Sequence, residues 1–145
     1  MKTQCFLLFT FLFYNLHLLA VLDISVSGSP GTLTINSAIA GSKPTTVKDN
    51  TTTYSLTVTE TTQKIVGRVD QLVPNRTKLK VSLKAPTGAT SLGSVPLTTI
   101  DQDLVTNIPN GTYSNLKIRY RFSANIKAGI VPLTSRTVTF TVLAQ

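Results

Sequence analysis

Leu116-Lys117-Ile118-Arg119-Tyr120-Arg121-Phe122-Ser123-Ala124-Asn125-Ile126-Lys127 alternates apolar and polar side chains along its whole length. Successive side chains of an extended strand point to opposite faces, so this run has one dry face and one wet face. Leu116, Ile118, Tyr120, Phe122, Ala124 and Ile126 share the dry parity, and Lys117, Arg119, Arg121 and Lys127 fall on the wet one. The reading is a long antiparallel strand with a cationic outer surface.

Working outward, the same period recurs. Tyr54, Leu56 and Val58 alternate with Ser55, Thr57 and Thr59, and Leu79, Val81 and Leu83 alternate with Lys78, Lys80, Ser82 and Lys84. Val138, Phe140 and Val142 are set among Thr137, Thr139 and Thr141. Shorter strands are predicted over 23–27, 32–37, 63–69, 95–100 and 104–108. From position 21 onward the chain holds 22 threonines, and β-branched side chains favour extended backbone. Turn formers punctuate these runs: Gly28-Ser29-Pro30-Gly31, Gly41-Ser42-Lys43-Pro44, Asp49-Asn50, Pro74-Asn75, Pro86-Thr87-Gly88, Pro109-Asn110-Gly111 and Ala128-Gly129. Half-wet strands at this spacing predict an all-β fold, an Ig-like antiparallel sandwich of about seven to nine strands, with a closed barrel as the structural alternative. No stretch beyond the first twenty residues carries a helical period.

The start of the chain reads differently. Met1-Lys2 is a short positive region, and residues 6–22 are apolar except for Thr10, Asn15 and His17. That pattern predicts a signal peptide over 1–20, with Ala20 at the cleavage site, followed by one domain over 21–145. The alternative is an uncleaved anchor, for which a run of about 17 residues is at the lower limit. Cys5 lies ahead of the apolar run and is misplaced for a lipoprotein cysteine. The expected location is secreted or at the cell surface, through the periplasm in a bacterium, with no transmembrane anchor after cleavage.

Met1, Cys5 and His17 are the chain's single methionine, cysteine and histidine, and it has no tryptophan. The processed domain therefore holds no thiol nucleophile, no histidine base and no histidine or cysteine ligand for zinc. It is also disulfide-free, so its stability must come from its core. No cofactor and no catalytic site are expected. Asp101 and Asp103 share a face in extended chain and, with Asn107, are a candidate calcium set; the plainer reading is a turn and a strand start. Ser82 and Lys84 lack the motif of a Ser-Lys pair. Asn50-Thr51-Thr52, Asn75-Arg76-Thr77 and Asn110-Gly111-Thr112 fit the glycan-acceptor pattern at predicted turns.

The net charge is +8, or +7 once Lys2 is removed. Lys117, Arg119, Arg121 and Lys127 on one strand and Lys78, Lys80 and Lys84 on another form a ladder of seven cations if the two strands are neighbours. Such a face attracts an anionic glycan, a lipopolysaccharide, a membrane surface or nucleic acid. The plainer reading is a solvated face whose lysines discourage edge-to-edge aggregation. Nucleic acid is disfavoured because Tyr120 and Phe122 take the dry parity and leave no stacking platform. Tyr113 is the sole ring placed to stack on a sugar.

The final alternating run Arg136-Thr137-Val138-Thr139-Phe140-Thr141-Val142-Leu143 and the short one Leu22, Ile24 and Val26, in an exported threonine-rich chain, resemble bacterial pilus subunits of the chaperone–usher type. The nearest likeness is to the spore coat protein U-like and archaic pilins, loosely over 23–145. The resemblance implies an incomplete Ig-like sandwich completed by a donor strand from the next subunit, with Leu22, Ile24 and Val26 as the donor segment. The same residues serve equally as the first strand of a self-sufficient sandwich. The expected function is a non-catalytic structural or adhesive surface protein that self-associates, or joins other surface proteins, through strand edges. The alternative is a secreted binding module for carbohydrate or another anionic cell-surface ligand, and an enzyme ranks third.

Overall fold

The computed structural model describes residues 22–35, 46–60 and 62–145. The predicted leader, the Gly41 to Pro44 turn and the end of the strand expected over 32–37 lie outside the described residues. Among the described residues ten strands follow in order: β1 (Leu22–Ser27), β2 (Thr46–Asp49), β3 (Thr53–Val58), β4 (Gln63–Val69), β5 (Thr77–Leu83), β6 (Thr90–Ser91), β7 (Val95–Pro96), β8 (Gln102–Ile108), β9 (Gly111–Ala124) and β10 (Val138–Ala144). One 3-10 turn, Ile126–Ala128, interrupts the sequence of strands.

The strands form two antiparallel sheets packed as a sandwich. The larger runs β1-β3-β9-β5-β7, with β2 also on β9, and the smaller runs β10-β4-β8-β6. β9 organises the larger sheet. Its first half pairs with β3, and its second half lies between β2 and β5. β2 and β3 are almost one strand, broken at Asn50 to Thr52, where Asp49 Oδ1 accepts from the Thr51 backbone N–H and hydroxyl. Thr52 keeps the ladder going, its carbonyl accepting from the Ile118 N–H at 3.0 Å.

Parity determines the core. Tyr54, Leu56 and Val58 of β3, Leu79, Val81 and Leu83 of β5, and Ile118 and Tyr120 of β9 point inward from one sheet. Ile65 and Val69 of β4, Leu104, Val105 and Ile108 of β8, and Val142 of β10 meet them from the other. Each fully buried aliphatic side chain contributes about 1.5–3 kcal/mol. This layer stands in for the absent disulfides. Tyr54 is wholly buried, and its hydroxyl donates to the Lys84 carbonyl at 2.6 Å, so its one polar atom is satisfied.

Four expectations need correction. Residues 32–35 form no strand; Leu33 packs against the core, but its backbone joins no ladder. The strand expected over 95–100 shrinks to Val95–Pro96: the Leu97 N–H still donates to the Leu79 carbonyl, but the Thr98 carbonyl turns to accept from Val69 of the other sheet and Thr98 Oγ1 accepts from the Ile100 N–H to close a turn. β2 and β6 are additional strands, too short to carry a visible period. β9 ends at Ala124: the Asn125 side chain accepts from the Lys127 N–H and caps the 3-10 turn, which Gly129 closes at φ 65°.

Candidate functional site

The cationic ladder is assembled by strand pairing. β5 runs antiparallel to β9, with Lys80 opposite Arg121, Ser82 opposite Arg119 and Lys78 opposite Ser123. The Lys84 N–H donates to the Lys117 carbonyl at 2.9 Å, which brings that pair of cations side by side. Leu79, Val81, Ile118 and Tyr120 are buried between them, so the lysines and arginines take the outer face. Lys127 is the exception. It sits in the 3-10 turn beyond the end of β9, where its carbonyl accepts from Arg76 Nη1, and is not a rung of the ladder.

A cation missed in the sequence takes the vacant place. Lys48 of β2 is paired with Arg121 from the other side, so Lys48, Arg121 and Lys80 form one row across three adjacent strands. Neighbouring strands are about 4.8 Å apart, so the row spans roughly 10 Å at its base. The clue was available in Thr46-Val47-Lys48, an alternation too short to separate from the Asp49-Asn50 turn.

Acidic residues are segregated away from this row. On the opposite sheet, Lys64 of β4 pairs with Asp103 of β8 at 3.0 Å, and Arg68 Nε of β4 approaches Asp101, just ahead of β8, at 3.9 Å. Among the described residues these are the two ion pairs, and neither uses a ladder cation. Every acid of the chain, Asp23, Asp49, Glu60, Asp70, Asp101 and Asp103, lies in a described stretch. Asp49 takes the inward parity beside Tyr120, and Asp23 sits on the edge strand opposite Thr57. Arg121 Nε is buried and finds no hydrogen-bond partner.

Asp101 and Asp103 do share a face, as their spacing predicts, but each faces a cation of β4. Among the described residues no group of three histidine, cysteine or acidic side chains is placed to hold a metal. Tyr113 is half-buried against the core, its hydroxyl donating to the Pro109 carbonyl at 3.2 Å, so its ring is not an open sugar platform. Asn50, Asn75 and Asn110 are all exposed at turns.

Leu22, Ile24 and Val26 lie on β1, an edge strand of the larger sheet, paired residue by residue with β3 from Leu22 opposite Val58 to Ser27 opposite Thr53. Ile24 is partly buried against the core, while Leu22 is 39% and Val26 47% exposed. The other edge of β1 carries no strand among the described residues. Near it an open cleft of about 1140 Å³ runs between the sheets, lined by Val26, Leu79, Phe122, Val138 and Phe140. Ile130, fully exposed, and Leu133 belong to the loop that walls this cleft.

No protein-family model, curated protein or solved structure matches the chain. Among the described residues no helix is long and apolar enough to cross a membrane.

Proposed function

We propose that this chain is an exported, non-catalytic structural or adhesive module of the Ig-like kind that assembles at the cell surface by adding strand to strand. The observation that carries the reading is β1. It is hydrogen-bonded to one neighbour and lies beside β10, sends Ile24 into the core, and leaves two large apolar side chains half in solvent. A strand secured so lightly exchanges at low cost, and an open sheet edge is a template for a second chain. The alternating Leu22, Ile24 and Val26 also suit the apolar cleft at the end of the sandwich, which gives the segment of one copy a seat in the next. The leader-like composition of residues 1–20 and the likeness to chaperone–usher pilins support the same reading.

Size-exclusion chromatography with light scattering, on residues 21–145 and on a chain starting at residue 32, tests it. Concentration-dependent oligomers that vanish on truncation, with the sandwich still folded, are expected. A stable monomer from both chains counts against strand exchange, as does truncation that unfolds a chain already monomeric at full length.

A second reading has its own support. Six ladder cations and Lys48 share one sheet face without an acidic partner, which favours a module that binds an anionic surface ligand. Retention on a heparin column at physiological ionic strength is expected, and elution in the void volume would remove this reading.

A further inference from the structure

Resting on that second reading, we propose that the outer face of the larger sheet binds an extended anionic polysaccharide, a glycan bearing sulfate or carboxylate groups, anchored on the row Lys48, Arg121 and Lys80.

Three features of the molecule specify this ligand. The first is the arrangement of charge. Like charges directly opposite on a sheet repel, and here three stand in one row with Lys117, Arg119, Lys78 and Lys84 around them. Asp101 and Asp103 pair with cations of β4, Asp70 accepts from the Thr137 N–H, Asp49 takes the inward parity, and Asp23, on this face, lies out on β1 opposite Thr57, so the row has no acidic partner within the chain and is free to take an external anion. A guanidinium flanked by two ammonium groups meets oxyanions, planar carboxylate or tetrahedral sulfate, with its fork and two point charges. Arg121 is partly exposed while its Nε is buried, so an oxyanion meets this guanidinium through its Nη groups.

The second is what surrounds the cations. Ser82, Ser123, Thr46 and Thr53 hold register positions beside them, opposite or flanked by Arg119, Lys78 and Lys117. Hydroxyls between charges suit a polymer whose own hydroxyls alternate with its anionic groups.

The third is what the face lacks. Tyr120 is buried, so no ring stacks on bases as a single-stranded nucleic acid requires. Leu92, Ile100, Ile126, Ile130 and Leu133, large exposed apolar side chains, lie on turns and loops, and Leu72 alone borders the depression beside Lys78 and Lys80, so the row has no apolar patch to insert among lipid tails.

The test measures binding of residues 21–145 to heparin and to polygalacturonate, with neutral dextran, a single-stranded oligonucleotide and anionic phosphatidylglycerol vesicles alongside. A Lys48→Gln/Lys80→Gln double variant is compared with Lys64→Gln/Lys127→Gln, which removes the same charge away from the row. Circular dichroism establishes that both remain folded. The row variant is expected to bind the acidic glycans about tenfold more weakly with a shallower salt dependence, while the control binds like the parent. Equal loss in both variants would reduce the effect to net charge and overturn the site while leaving the second reading standing. Preference for the oligonucleotide or the vesicles would overturn the glycan assignment, and no binding to any polyanion would overturn both the site and that reading.

Discussion

Arg121 of β9 stands directly opposite Lys80 of β5, a like-charge pair on an open sheet face, and Lys48 flanks the same arginine from β2. Repulsion of this kind costs about 0.2–1 kcal/mol per opposed pair. Lys80→Thr is therefore expected to stabilise the domain by about 0.5 kcal/mol at low ionic strength, threonine also suiting the strand. The gain shrinks toward zero near 1 M salt, where the screening length falls to about 3 Å. Urea unfolding at both salt concentrations measures it. A destabilised variant would mean that Lys80 has a favourable contact in the folded protein.

Gly67 of β4 lies between β8 and β10 of its own sheet, where Leu104 and Phe140 close over its missing side chain. A Cβ added there lies 2.6 Å from Leu104 Cδ1 and 3.3 Å from Phe140 Cδ1. Leu104 is 1% exposed and enclosed by the core, so it has little room to yield. Gly67→Ala is expected to destabilise by about 1–3 kcal/mol through overpacking. Combined with Leu104→Ala, the two costs should fall short of their sum, as a double-mutant cycle in urea would reveal. Strict additivity would deny the contact.

Alkaline pH should unfold the protein through its two buried phenols. Burial holds the Tyr54 hydroxyl well above the usual tyrosine value, and burial assisted by the charge of Asp49 pushes Tyr120 up to about 12. Both pKa values are higher folded than unfolded, so the neutral phenols contribute stability that is intact below pH 10 and is lost as pH rises toward 12 and beyond. Tyrosinate absorbance should rise together with loss of the strand signal in circular dichroism. Full ionisation of Tyr54 and Tyr120 in a still-folded chain would contradict their placement.

Parity made much of this architecture legible. Residues 54–59, 78–84, 116–124 and 138–142 each alternate over enough residues for the dry face to be read, and each forms a strand with that face inward. Alternation says nothing of partners. That β5 and β9 are neighbours depends on packing between segments far apart in the chain, so the cationic ladder was conditional until the pairing was known. Lys48 was invisible because β2 is four residues long and takes its hydrogen bonds from β9. Lys127 was misplaced because its alternation with Ile126 continues through a turn that Asn125, a good cap, had already begun. Thr32 to Ile35 showed the opposite failure: Leu33 is drawn to the core although the backbone has no partner strand.

Ser25 of β1 lies opposite Ser55 of β3, and residues 21–145 contain no cysteine, so a Ser25→Cys/Ser55→Cys pair reports on one contact alone. Antiparallel partners are close enough for a disulfide. The central claim, assembly by exchange of β1, is tested by oxidising this variant across a concentration series and running non-reducing gels. Strand exchange predicts a monomeric cross-link in dilute solution giving way to covalent dimers and higher ladders as concentration rises. A cross-link that stays within one chain at every concentration would contradict it.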